Sequence, residues 1–380
     1  MAAIKDPLAQ LAQAALALPI LALPVKAGAA DVGEIGFTLL GYKERGLMKI
    51  TEPVLWGRAQ FLESWEVQGS AAVDIISGAS PRLVTNASGK PVQTLTGASV
   101  EDHRHTGDVK LAKHFGDFTL AGSVAYSKEE DYESKAAGIE GRMDLNQKNT
   151  TLIAGLGRSK DHVGSTDNPA LNEPRDTDEY MAGITQVLSP TALVSSNVVW
   201  SRGEGYYNDP YKFTFTFFPS GPPLLLPDVR PDHRHSVAWL TRYREHFPAA
   251  RGTLQADYRY YSDDWGIRAH TLEVGWQQQV DERWSIRPAL RYYTQDAADF
   301  YSPVLTRPPA PVHSSDQRLG AFGGLSPSLR VILRVDDRLT VDGTIGYVQN
   351  AANFHLGGSG SEAFETLRAY YGLIGVTYAF

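Results

Sequence analysis

The chain has no cysteine among its 380 residues, which excludes disulfide frameworks, thiolate metal sites and a cysteine nucleophile. It also lacks an excess of basic charge, with 36 Lys and Arg against 43 Asp and Glu and a formal net charge of -7. Binding to nucleic acid needs clustered cations against the phosphates, so no nucleic-acid partner is expected. Long apolar runs are scarce too. Beyond residue 30 no window of roughly 20 residues, the length of a spanning helix, is continuously apolar: the charge-free stretch 180–201 is broken by Thr185, Gln186, Ser189, Pro190, Thr191, Ser195, Ser196 and Asn197. Such a chain can cross a membrane only as a closed barrel, because only helices and closed barrels satisfy their own backbone polar groups in lipid.

The longest apolar run, Ala14 to Val25, follows Lys5 and precedes Ala27-Gly28-Ala29. Basic, apolar and small residues in that order form a secretory signal peptide, expected over residues 1–29 with cleavage after Ala29. The run is about a dozen residues, is interrupted by Pro19 and Pro24, and is too short to span a bilayer.

What is present is glycine (35), tyrosine (18) and a period-two pattern. Leu254, Ala256, Tyr258 and Tyr260 alternate with Thr253, Gln255, Asp257 and Arg259. Leu272, Val274, Trp276 and Val280 do so with Thr271, Glu273, Gln277 and Gln279, and Ile286, Leu290 and Tyr292 with Ser285, Arg287, Arg291 and Tyr293. Alternation alone fits a soluble sandwich equally well. Strands are expected at about 34–44, 47–60, 64–77, 104–115, 117–128, 133–145, 150–162 and 176–189 in the first half. The second half adds about 191–203, 233–247, 251–263, 269–281, 283–296, 316–335, 338–349 and 366–379.

The connections decide between sandwich and barrel. Even-to-odd links are short, around Glu63, Gly116, Pro190, Pro248, Arg283 and Asp337. The long ones, 78–103, 163–175, 204–232, 297–315 and 350–365, are all odd-to-even. Short turns at one end and long loops at the other mark an outer-membrane barrel. The expected fold is therefore all-β: a transmembrane antiparallel up-and-down barrel of about sixteen strands over residues 30–380. Pro53 and Pro327 fall inside strands and cost ladder donors, so those strands carry bulges or the count is fourteen. At the C-terminus Tyr370, Ile374, Val376, Tyr378 and Phe380 share a face, and a terminal aromatic is similar to the signal read by the bacterial barrel-assembly machinery.

The run Asp74-Ile75-Ile76-Ser77-Gly78-Ala79-Ser80-Pro81 resembles a motif of an uncharacterised family of outer-membrane proteins catalogued as a domain of unknown function. Similar stretches are Tyr207 to Lys212, Arg242 to Trp276 and Asp299 to Pro303, so the resemblance runs nearly the length of the mature chain. It implies a bacterial outer-membrane location and association with a small lipoprotein, a thioredoxin-like protein and an enzyme that attaches flavin to proteins. It implies no reaction.

If the apolar faces meet lipid, the opposite faces line a lumen. Asp74, Arg242, Arg244, Asp257, Arg259, Glu273, Arg287 and Arg291 are then pore-lining. A ladder of cations facing carboxylates screens solutes by charge; the same residues can equally stiffen the wall as an ionic network. Asp74 can bind a ligand near the mouth or cap the turn that follows it. Asp-His-Arg-His occurs twice, with His103 and His105 and again with His233 and His235. Such an i, i+2 pair suits a transition metal only if a third ligand arrives, so no metal is assigned. The acids Asp167, Asp176, Asp178 and Glu179 match no calcium-loop spacing.

A triad of Ser77 or Ser80, His103 and Asp102 can be written on paper, but no Gly-x-Ser-x-Gly frame is present. No catalytic residue, enzyme activity or cofactor is assigned. Trp56, Trp65, Trp200, Trp239, Trp276 and Trp284 fit interfacial girdles. Tyr206, Tyr207, Tyr211, Phe213, Phe215, Phe217 and Phe218 form a loop hairpin over the mouth or in the lumen, or a sugar- or partner-binding surface. The expected function is an outer-membrane channel or conduit for small solutes, gated by the 78–103 and 204–232 loops. A closed-lumen scaffold for a lipoprotein or redox partner is the first alternative and a barrel enzyme the second.

Overall fold

The computed structural model describes residues 33–78, 81–87, 90–95, 100–216, 222, 224–305, 310–362 and 364–380. The expected signal peptide, residues 1–29, lies outside them. In chain order the strands are β1 (Gly33–Glu44), β2 (Met48–Phe61), β3 (Trp65–Gly78), β4 (Pro81–Ala87), β5 (Lys90–Leu95), β6 (Val100–Phe115), β7 (Phe118–Lys128), β8 (Tyr132–Leu145), β9 (Thr150–Gly164) and β10 (Asn172–Ser189). They continue as β11 (Ala192–Gly205), β12 (Phe213–Thr216), β13 (Leu224–Pro227), β14 (His233–Phe247), β15 (Gly252–Asp263), β16 (Arg268–Gln279), β17 (Trp284–Gln295), β18 (Phe322–Arg334), β19 (Leu339–Ala351) and β20 (Leu367–Ala379).

Sixteen of these close into one antiparallel barrel in the order β1-β2-β3-β6-β7-β8-β9-β10-β11-β14-β15-β16-β17-β18-β19-β20, with β20 returning to β1. The other four, in the order β13-β12-β4-β5, make a separate small sheet. With strands about 4.8 Å apart and tilted by about 40°, sixteen of them give a backbone cylinder roughly 32 Å across.

The period-two pattern sets which way each side chain points. Leu156 is 56% exposed and Ile374 61%, and Leu272, Val274 and Leu290 are exposed as well, so the apolar set forms the outer surface. Their neighbours in sequence turn inward, and the register carries that parity from strand to strand: Arg242 pairs with Asp257, Asp257 with Glu273, and Glu273 with Arg291. A one-residue slip anywhere would send these ions into the apolar belt.

Proline proves compatible with sixteen strands, and without bulges at these sites. The β2–β3 ladder runs from Thr51↔Ile75 to Val54↔Ala72, and the β18–β19 ladder from Leu325↔Gln349 to Ser328↔Gly346; each drops the pairs around Pro53 and Pro327 and resumes in the same register. Pro288 does the same between Gly275↔Ala289 and Gln278↔Ile286. Each ring removes a donor on one side of its strand while the other side stays paired, as in Leu39↔Pro53, Leu290↔Pro327 and Pro288↔Leu329.

Two assignments change. Trp56 belongs to no girdle: it shares the inward parity of Arg58 and lies over Gly36, where an added Cβ would meet its ring at 2.3 Å. Among the described residues, the long segment after β17 contains no strand before Phe322. Asp316 and the short turn Gln317–Leu319 belong to the loop, and Asp316 caps that turn by accepting from the Arg318 backbone N–H.

Candidate functional site

The site is the lumen wall and the mouth above it. On β14–β19 the inward faces carry Arg242, Arg244, Arg259, Arg287, Arg291 and Arg330 against Asp257, Glu273 and Asp342. Arg287 pairs with Glu273 at 2.9 Å, Arg330 with Asp342 at 3.0 Å, and Asp257 receives Arg244 closely with Arg242 at 3.9 Å. Arg259 lies over the Tyr261 ring at 5.3 Å. On β1–β10 the balance reverses, with Glu34, Glu52, Glu66, Asp108, Glu140 and Glu179 facing inward among Arg58, Lys110 and Arg142. One arc of the wall is net basic and the other net acidic. Apart from Arg242, which is buried, these groups are half-buried and Glu179 is exposed, so water reaches them inside the barrel.

Asp74 also turns inward, but near the loop end, where it is buried and forms an ion pair with Arg104 of the neighbouring strand. The turn that follows it includes Ala79 and Ser80, which lie outside the described residues. Asp102, on the same face, comes together with Glu129 and Asp131: one carboxylate oxygen from each lies within 4.8 Å of the others, and all three are buried. Asp102 faces inward while His103, next in the strand, faces outward, which places two members of the triad written from the sequence on opposite sides of the wall. Ser80 lies outside the described residues.

The longest late loop, between β11 and β14, leaves the wall at Gly205. Its φ of +124° and a Cβ position only 2.3 Å from the Pro174 carbonyl require glycine there. The loop then reaches far from its own strands. The Tyr211 hydroxyl donates to Asp131, after β7, and receives the Thr166 N–H, after β9, at 2.7 Å. Phe213 and Thr214 of β12 pair in parallel with Leu83 and Val84 of β4, which belongs to the loop after β3. Arg230 and Val229 reach the loop after β17, at Asp316 (2.9 Å) and His313 (backbone, 3.0 Å). Segments rooted at points so widely spaced around a ring of sixteen strands meet only across its opening, so they cover the mouth.

A buried ionic cluster holds this cover. Asp209, Asp228 and Asp316 stand among Lys212, Arg230 and Arg318. Arg230 donates to Asp228 at 2.6 Å, and Arg318 to Asp209 at 2.8 Å and through Nε to Asp316 at 2.8 Å. Burial favours the neutral form of Asp316, yet Arg318, Lys212 and Arg230 outweigh it and hold the carboxyl well below the usual range. Asp209 is lowered in the same way, against its burial, mainly by Arg318 and Arg230. Asp228 is raised, because there burial outweighs Arg230. Burial also lowers Lys212, with Asp316 opposing and Arg318 adding to the effect. Beside the cluster Trp265, Ile267, Ala298 and Leu319 form an apolar core packed by Tyr207, Tyr261, Phe300 and Tyr301.

The aromatic alternation in this loop predicts a hairpin over the mouth or in the lumen, or a sugar- or partner-binding surface. β12 and β13 do form a hairpin, but Thr214 and Thr216 are fully buried while Phe213 and Phe215 are half-buried. The reason is polar: Thr214 donates to Ser315, which donates to the Phe213 carbonyl, so this face of β12 meets the hydroxyls of the loop that carries the cluster. Phe217 and Phe218 lie outside the described residues. Neither the cluster nor Trp265 was identified from the sequence, because their members are spread over separate loops; the resemblance at Tyr207 to Lys212, Arg242 to Trp276 and Asp299 to Pro303 was the only signal touching them.

A family described as protein of unknown function (DUF3570) matches residues 8–173 and 164–371. A comparison with curated protein sequences finds no match. Among solved structures, a bacterial polysaccharide outer membrane secretin is similar at TM-score 0.50 and 9% identity, over 93% of this chain and 100% of that one. CdiB from Acinetobacter baumannii is similar at TM-score 0.52 and 8% identity, over 92% of this chain, which spans 60% of CdiB. At such identity the likeness concerns the fold, that of outer-membrane barrels.

Proposed function

We propose that this chain, which belongs to the DUF3570 family of unknown function, is a bacterial outer-membrane conduit for small charged solutes whose mouth is closed by its own loops. The observation that carries this reading is the contrast along the axis. The lumen wall is polar and water-accessible, whereas the loop end is held together by a largely buried ionic cluster. A filled structural barrel has no need of half-buried ions along its interior, and an open porin has no need of a locked cover. The basic arc and the acidic arc face each other, which supports selection by charge as well as size.

The exposed aromatic ladder of β20 ending at Phe380 supports delivery by the barrel-assembly machinery, and the apolar belt supports a lipid-facing exterior. A small lipoprotein or periplasmic redox partner would act from the short-turn end. The test is single-channel conductance of the refolded protein across a salt series, with the 204–232 loop intact and then deleted. Conductance that appears or rises on deletion bears the proposal out. Silence in both proteins rejects it in favour of the closed scaffold.

A further inference from the structure

The basic arc of the lumen sets six arginines against three carboxylates, and the pairing leaves two arginines over. Asp257 is taken by Arg244 and Arg242, Glu273 by Arg287 at 2.9 Å, and Asp342 by Arg330 at 3.0 Å. Asp263, the next acid toward the mouth, is taken by Arg234 at 2.7 Å. Arg259 on β15 and Arg291 on β17 form no ion pair with a carboxylate among the described residues. They are also neighbours. Arg259 is in register with Thr271 of β16, and Thr271 with Tyr293 of β17, two residues from Arg291 on the same inward face. Arg291 is close enough to oppose the charge of Arg259. Thr271, on the strand between them, is short and uncharged, so β16 supplies nothing that compensates the pair. On the loop side stand two tyrosines, with Arg259 at 5.3 Å over the Tyr261 ring. Their hydroxyls donate elsewhere, to Asp263 at 2.9 Å and Gln295 at 2.6 Å.

We propose that Arg259 and Arg291 bind a small, doubly charged oxyanion, a dicarboxylate or a phosphate, in the lumen beneath the cover. This rests on the conduit reading above and names the class of solute. The charge follows from the count, since two cations are left over and one dianion neutralises both. The oxyanion follows from the donors: a guanidinium presents parallel N–H groups in a planar fork that matches a carboxylate or phosphate edge. Two like charges side by side repel, and a counter-anion between them turns that repulsion into two attractions. Both arginines are half-buried, so the site is partly shielded from bulk water yet reachable from the lumen. The acidic arc opposite, with Glu52, Glu66 and Glu140 facing inward, repels an anion from its own side and keeps it against β15 to β17.

The experiment is calorimetric titration of the full chain, folded in detergent at low ionic strength, with sodium succinate and separately with sodium phosphate. Heat-modifiable gel migration checks that every variant is folded. One equivalent of at least one dianion is expected to bind, and which of the two does so separates a dicarboxylate from a phosphate. Arg259→Gln/Arg291→Gln should weaken binding by about tenfold or more, the loss expected for charge-assisted hydrogen bonds. Thr271→Glu, which sets a carboxylate between the two arginines, should weaken it similarly while both cations remain. Arg268→Ala, which takes a cation from the exposed outer face of β16, should bind as the parent does. The proposal is overturned if the parent binds neither dianion, if either lumen variant binds as the parent does, or if sodium acetate binds as tightly as succinate. Titration reads binding without passage, so the two readings fail separately. Binding with silence in the bilayer keeps the site and rejects the conduit; conductance without binding does the reverse.

Discussion

Replacing Asp316 by asparagine is expected to unlock the mouth and leave the wall intact. Asp316 accepts from Arg230 at 2.9 Å and from Arg318, and it is almost wholly buried. Without its charge, Lys212 and Arg230, both largely buried, and the half-buried Arg318 are left against only Asp209 and Asp228. Removing one member of a buried ion pair costs roughly 3–5 kcal/mol, since the partner's desolvation is no longer compensated. At about 1.4 kcal/mol per factor of ten, the ratio of closed to open cover falls by roughly two to three and a half decades. The cost falls on contacts between loops, and no residue of the cluster pairs in the sixteen-strand ladder. Two assays read it together: single-channel conductance, which should become continuous or frequently open, and limited proteolysis within 206–232, which should accelerate at least a hundredfold. Unchanged conductance and cleavage in a correctly folded Asp316→Asn protein would refute the idea that this cluster is the lock.

Acid should act late. The Asp316 and Asp209 carboxyls are lowered in the folded cover, so their contribution is present above the ordinary carboxylate value of about 3.9 and is lost only as pH falls through their own, lower values. Asp228, raised by burial, runs the opposite way and gains stability on protonation, so proteolysis of the loop should stay slow down to about pH 4 and quicken below it. Arg259→Ala combined with Arg291→Ala removes two cations from the basic arc and, in a loop-deleted protein, should move the reversal potential in a salt gradient toward cation preference; no movement would mean that this arc does not sort ions. Val274→Arg places a charge in the outer apolar belt and should cost about 2–4 kcal/mol in denaturant unfolding from lipid. Thr271→Arg, three residues away but facing the lumen, should cost much less.

The wall was legible because each of its strands repeats one rule. Leu272 and Val274 outside with Thr271 and Glu273 inside is a two-residue pattern, readable without knowing any partner strand, and the short links around Gly116, Pro190 and Pro248 fix which strand comes next. The eight lumen residues named from the sequence have the expected inward parity for the same reason. The mouth was not legible. Asp209, Arg230 and Asp316 come from two loops with no periodicity, and their meeting depends on how far each loop reaches across the ring. At Phe213 and Phe215 the polar content of the opposing loop, not the aromatic pattern, decides which face of β12 is buried. At Trp56 the residue type pointed to an interface, but strand parity overruled it.

Gly33 and Phe380 exchange both of their backbone hydrogen bonds, at 3.0 and 2.9 Å, and β1 zips to β20 from Glu34↔Ala379 to Glu44↔Ala369. Geometrically, then, the wall has no first strand. The ring is cyclic, and the chain is one cut made in it. Joining Gly33 to Phe380 through a few residues and reopening the chain at the Gly116 turn would rearrange the order of synthesis while preserving every pair in the cylinder. Which strand is made last, and so which edges stay open until closure, is information carried by the gene order alone and is erased from the finished shape.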